Sequence, residues 1–318
     1  MLDWLAAGAP PAAPAPISDA EQAAVRRWET FLNGDSNKER LMARYLFEHL
    51  FLANLYFGGN PDPAWFRVVR SKTPPGEPID LIATRRPFDD PGPGRIYYRI
   101  QHLPLRPLAK IQLPYRLDDA RMARYRELFL APDYVVETLP DYSPELATNP
   151  FKTFQVIPAT SRYKYLLDEA QYTIMNFIKG PVCRGQVALN VIDDHFWVVF
   201  ANPDDVDAEH DEAFLAREMD NLRVPTVRTG TPLDLFSWRQ YSKAEQRYQK
   251  ARADYVREQL SAEHRTLDLD AIWNGDGHNP NAALTIFRHH DSASVVKGFV
   301  GEVPKTAWVI GYPLLERI

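Results

Sequence analysis

Apolar residues recur along this chain at helical spacing in some segments and in alternation in others, and the change of period predicts its elements. Ser18-Asp-Ala-Glu21 is a capping-box pattern, a serine N-cap with a glutamate three positions on, and it opens a helix predicted to end at Asn33-Gly34. Asp35 or Ser36 then caps a second helix running to about Phe57, in which Leu41, Tyr45, Phe47, Leu50, Phe51 and Leu55 make a broad apolar stripe. Short strands between turns follow at Trp65–Arg70, Ile79–Thr84, Arg95–His102 and Lys110–Leu113. Leu117-Asp118 starts another helix, through about Leu130.

Beyond a proline-broken stretch, Pro132–Pro150, the pattern predicts a helix over Ser161–Ile178 and an acidic loop over Asn202–Glu212. A long helix over Ser242–His264 contains neither glycine nor proline. Ile272–His278 reads as a turn, with strands at Ala283–His289 and Val295–Val300. No repeat is visible in the residues. The fold class is α+β, with short, mainly antiparallel strands in one domain over 18–318, behind a Pro/Ala-rich leader or linker over 1–17. That Pro-rich start and an apolar finish, Ala307–Ile318, suggest a central piece of a longer protein.

Composition narrows the function classes. The 318 residues are 45% hydrophobic and 25% charged, as in an ordinary globular protein. A net charge of -5, with acidic and basic residues interspersed, gives no reason to expect a nucleic-acid surface. One cysteine excludes an intrachain disulfide and any multi-cysteine metal or iron–sulfur site. Met1-Leu-Asp-Trp-Leu lacks the basic start of a secretory signal. The most apolar helical segment, Leu46–Phe57, is too short to span a bilayer and contains Glu48 and His49. Such a chain is soluble or rests on a membrane surface.

Candidate chemistry concentrates in Phe177–Phe200, where Cys183, Arg184, Asp193, Asp194 and His195 interrupt apolar runs. Burying ionisable groups is costly unless they are paired, so the segment holds either a structural polar network or a pocket. Arg184 beside Cys183 would favour a thiolate, and Cys183 with His195 would suit a cysteine hydrolase or transferase; a buried, inert thiol is the alternative. Asp193-Asp194-His195 could orient an imidazole, bind a metal, or form a turn between Val187–Ile192 and Phe196–Phe200, and no second histidine stands at metal-ligand spacing. Arg44 and Glu48 stand at i,i+4 on a helix face and predict an ion pair, with His49 beside them. The cations from Arg67 to Arg99, Arg85 and Arg86 among them, suit phosphate head groups or a solvated mixed-charge face.

Several stretches in order resemble the fatty acid cis/trans isomerase family. They are Arg44–Phe57, Ser71–Asp80 with Ala83–Pro87, Gly180–Gln186 with Val191–Trp197, and Asn279–Arg288 with Asp291–Gly298. The resemblance implies a periplasmic enzyme that isomerises unsaturated acyl chains of membrane phospholipids. It also implies a covalent c-type haem on a Cys-x-x-Cys-His motif. This chain has no such motif, so in a full-length member the haem segment would lie upstream of Met1. On this reading Cys183, Arg184, Asp193, Asp194 and His195 are candidate catalytic residues, and Glu48, His49, Arg85 and Arg86 meet substrate. The apolar face of Leu46–Phe57 would line an acyl channel. A non-catalytic lipid-binding module is the further alternative.

Overall fold

The Ser18 cap forms as the sequence predicts, and of Asp35 and Ser36 it is the serine that caps the second helix. The computed structural model describes residues 2–8, 16–58, 63–104, 113–179, 194–203, 208–222, 234–262, 272–277, 282–289, 293–305 and 307–311. Helix α1 spans Leu2–Ala6, α2 Asp19–Leu32 and α3 Asn37–Leu50. Ser18 and Ser36 each accept the backbone N–H three residues on, and the carboxylates of Glu21 and Glu39 accept the cap N–H in return. These bonds satisfy donors that a helix start leaves free. Gly34 lies between the two helices, and the Glu39 carboxylate occupies the space a Cβ there would take.

Helix α3 stops at Leu50 and does not reach Phe57. Asn54–Phe57 is strand β1, with Leu55 and Phe57 buried and Asn54 and Tyr56 half-buried. Strands β2 (Trp65–Ser71), β3 (Tyr97–Leu103) and β4 (Pro114–Leu117) complete a sheet of order β3-β2-β1-β4. The β1–β2 and β2–β3 pairs are antiparallel, and β1–β4 is parallel. The strand expected over Ile79–Thr84 reduces to one bridge between Leu81 and Ser71. Asp118 caps α4 (Asp119–Tyr125), which runs on into a π-type turn over Arg126–Leu130. Most of these elements belong to a first compact unit, residues 1–87 and 91–126.

Buried aromatic and aliphatic side chains make the core of this unit. Trp28, Leu46, Leu50, Leu55, Val68 and Ile100 close round a cavity of about 10 Å³, room for a single water at most. Leu46, Phe47, Leu50 and Leu55 of the Leu46–Phe57 segment all face this cavity. Two cations of the Arg67–Arg99 run also turn inward. Arg99 is buried and donates from Nε to Glu29 at 3.0 Å, while its other nitrogens hold the carbonyls of Pro74 and Glu77. Arg70 is buried with its guanidinium 5.2 Å from the Phe47 ring centre. At the surface Arg95 pairs with Asp35 and Arg67 with Gln101, so much of the run is a mixed-charge or inward-facing set.

The second unit comprises residues 88–90 and 127–318. After the short helices α5 (Pro144–Ala147) and α6 (Pro150–Thr153), two helices stand where one was expected, α7 (Ala159–Asp168) and α8 (Ala170–Lys179). Strands β5 (His195–Phe200), β6 (Ala283–Arg288), β7 (Ala293–Lys297) and β8 (Ala307–Ile310) form a sheet of order β7-β6-β5-β8. Helix α9 (Ala208–Glu218) occupies part of the expected acidic loop, and α10 (Asp234–Ala262) begins earlier than Ser242. Tyr163, Leu166, Leu167, Ala170 and Ile174 pack on Phe196, Val198, Phe200, Leu284 and Ile286 to make the core.

The two sheets share one plan that the residues do not display. In each, a helix pair precedes the first strand, and the next two strands add antiparallel in succession. The fourth strand then crosses back to lie parallel to the first on its other side. The registers correspond: Leu55 pairs with Phe66 and Tyr115 in the first sheet as Val198 pairs with Leu284 and Trp308 in the second.

Candidate functional site

Strand alternation divides the candidate segment. Phe196, Val198 and Phe200 of β5 enter the core, which sends His195 and Trp197 to the opposite, outer face of the sheet. On that face His195 stacks on Phe287 of β6, ring centres 5.5 Å apart and planes at 27°. A carbonyl oxygen only accepts, so the 2.8 Å contact of His195 Nε2 with the Glu302 carbonyl makes Nε2 the protonated nitrogen. Asp194 is exposed, and its carbonyl accepts the Arg288 N–H at 2.9 Å.

A strap from Gly298 to Lys305 crosses this face, because β7 and β8 lie at opposite edges of the sheet and the chain must pass between them. Three side chains of the outer face fasten its backbone. The fully buried Thr285 hydroxyl donates to the Gly298 carbonyl at 2.6 Å and accepts the Val300 N–H at 3.0 Å. Trp197 Nε1 donates to the Val300 carbonyl at 3.3 Å, and His195 holds Glu302. Gly298 and Gly301 take φ of 93° and 89°, which only glycine adopts freely, and a Cβ on Gly301 would stand 3.0 Å from His195 Nε2. Phe299 meets Trp197 edge to face with ring centres 4.9 Å apart.

The other candidates belong to the first unit or lie outside the described residues. Cys183, Arg184 and Asp193 lie outside them, as does the expected hairpin partner Val187–Ile192. On α3, Arg44 and Glu48 form the predicted ion pair at 2.9 Å, with side chains 5% and 2% exposed. His49 is half-buried and donates from Nδ1 to the Tyr45 carbonyl at 2.8 Å. Arg85 is exposed and Arg86 half-buried, its carbonyl accepting from the Thr84 hydroxyl. Sequence reasoning missed Thr285, Phe287 and the strap. The visible signal was Lys297-Gly-Phe-Val-Gly-Glu-Val-Pro-Lys305, an apolar run broken by glycines and flanked by lysines.

A family model of the fatty acid cis/trans isomerases matches residues 1–318, the whole chain. No curated protein and no solved structure matches it. The likeness defines an isomerase of unsaturated fatty acyl groups at the level of the family. The chain belongs to the fatty acid cis/trans isomerase family.

The residues present do not fit the c-type haem that the resemblance implies. Covalent attachment through Cys-x-x-Cys-His needs two thiols, and the sequence has one. Among the described residues no cluster of three or more His, Cys, Asp or Glu side chains is placed to hold a metal ion.

Proposed function

We propose that this protein converts cis to trans double bonds within the acyl chains of membrane phospholipids, on the periplasmic side. The carrying observation is the family match along the entire chain. The reaction is an internal rotation: no atom is gained or lost, and the double bond keeps its position. Its difficulty is that the π bond must weaken while the chain turns, so a protein acting on it must hold an acyl tail away from water. Support for contact with lipid comes from the second unit, whose strap presents exposed apolar side chains beside the aromatic pair Trp197 and Phe299. His195, Trp197 and Phe287 give that face a polar group set among rings. The haem of the family would need cysteines that this sequence does not contain.

The test is to express the gene that encodes this chain in a bacterium that makes no trans fatty acids but matures c-type cytochromes, and to analyse its phospholipids by gas chromatography. Trans-monounsaturated chains appearing at the expense of their cis isomers support the reading. An unchanged cis pool, with the protein produced and folded, removes it.

A further inference from the structure

The strap does something unusual with apolar side chains. Its backbone is fastened to the sheet by Thr285, Trp197 and His195, and that same fastening holds its apolar side chains outward. Phe299 is 50% exposed, Val300 42% and Val303 83%, and Val309 on β8 adds another at 62%. Val309 pairs with Val199, whose alternation places both on this outer face. Single exposed apolar residues are ordinary, but a cluster on one rigid loop marks a contact surface. Charge selects the partner. Exposed Lys297 and Lys305 bracket the strap, with Glu302 the acidic residue between them. An apolar tip with lysines at its base suits an anionic lipid surface, where the tip enters the acyl boundary and the ammonium groups stay at the phosphates.

We propose that residues 297–305 are a membrane-inserting strap that seats the second unit on anionic phospholipid, an inference that rests on the phospholipid reading of the function. Trp197 stands behind the tip, bonded to the Val300 carbonyl, so insertion would bring the His195–Trp197–Phe287 face to the lipid boundary. The strap is fixed before it meets lipid, so binding requires little ordering of the chain.

The experiment is co-sedimentation of the full chain with vesicles of phosphatidylglycerol and phosphatidylethanolamine, beside vesicles of phosphatidylcholine. The double substitution Val300→Asp with Val303→Asp should lower partitioning about a hundredfold, roughly tenfold for each side chain withdrawn. Both sites are exposed, and an unchanged thermal melt confirms that the fold survives. Lys297→Gln with Lys305→Gln should remove the preference for the anionic vesicles and the sensitivity to salt. Val303→Trp gives a direct reading, because brominated acyl chains quench an indole that enters the bilayer. Wild-type protein that ignores all vesicles, or a double-Asp variant that binds as well as wild type, overturns the proposal. So does a concentration-dependent dimer abolished by the double-Asp variant without lipid quenching, since the strap would then join two copies. Strap-dependent binding without any trans product leaves the docking surface standing and removes the phospholipid isomerase reading instead.

Discussion

Thr285→Val tests whether the strap is held as described. The Thr285 side chain is fully buried, and its hydroxyl makes two bonds to the strap, donating to the Gly298 carbonyl and accepting the Val300 N–H. Valine has nearly the same shape, so the loss is polar and leaves no cavity. Two neutral bonds contribute about 1 kcal/mol each, and the buried Gly298 carbonyl is left short of a partner at about 1 kcal/mol more. The added methyl returns about 0.8 kcal/mol. The net cost is about 2 kcal/mol, or a fall of about 4–8 °C in Tm if the unit unfolds as a whole. If the strap opens alone, the Val300 amide should exchange about 30-fold faster in hydrogen–deuterium exchange. The Gly298 amide, which bonds the Ala283 carbonyl within the sheet, should change far less. Equal protection of Val300 in both proteins, with an unshifted melt, would refute the fastening.

Three further perturbations probe other parts of the account. Burial pushes the Glu21 carboxyl up, but the Ser18 N–H and hydroxyl, the Ala64 N–H and His102 together hold it below its usual value near 4.5. Its stabilisation is therefore present above about 4.5 and is lost as pH falls through the lowered folded value, so Glu21→Gln should flatten that acid limb in urea melts; an unaltered limb contradicts this. Arg99→Met leaves the Glu29 carboxylate buried and should cost about 3–5 kcal/mol by urea denaturation, with partial recovery when Glu29→Gln is added. A loss under about 1 kcal/mol would place the pair with surface salt bridges. Gly301→Ala combines a left-handed backbone with a Cβ 3.0 Å from His195 Nε2 and should cost about 1–2 kcal/mol in thermal melts; a wild-type melt would contradict the strap's geometry.

What was legible in the sequence was what local chemistry decides. Ser18 with Glu21 and Ser36 with Glu39 carry their own instructions, since the bonds they make span three residues. The helix-to-strand change before Asn54 was not legible, because Leu50–Phe57 is apolar apart from Asn54 and satisfies both periods. The shared plan of the two sheets was hidden for a related reason. Corresponding positions such as Phe66 and Leu284, or Ile100 and Val295, have burial in common and little else, so the repeat lives in the pairing and not in the residues. His195 stood out as a polar group among apolar ones. Its partners did not, because Glu302 lies 107 residues away and is reached only once β5 and β8 pair. The cations from Arg67 to Arg99 misled by proximity in sequence, since alternation and loop packing send Arg70 and Arg99 inward.

The most direct measurement uses protein purified from cells that express the gene and mature c-type cytochromes, mixed with vesicles of a single cis-monounsaturated phospholipid. Gas chromatography of the recovered acyl chains should show the trans isomer rising with time, the double bond at its original carbon and the total unsaturation constant. A cis pool that stays intact beside folded, vesicle-bound protein would contradict the account.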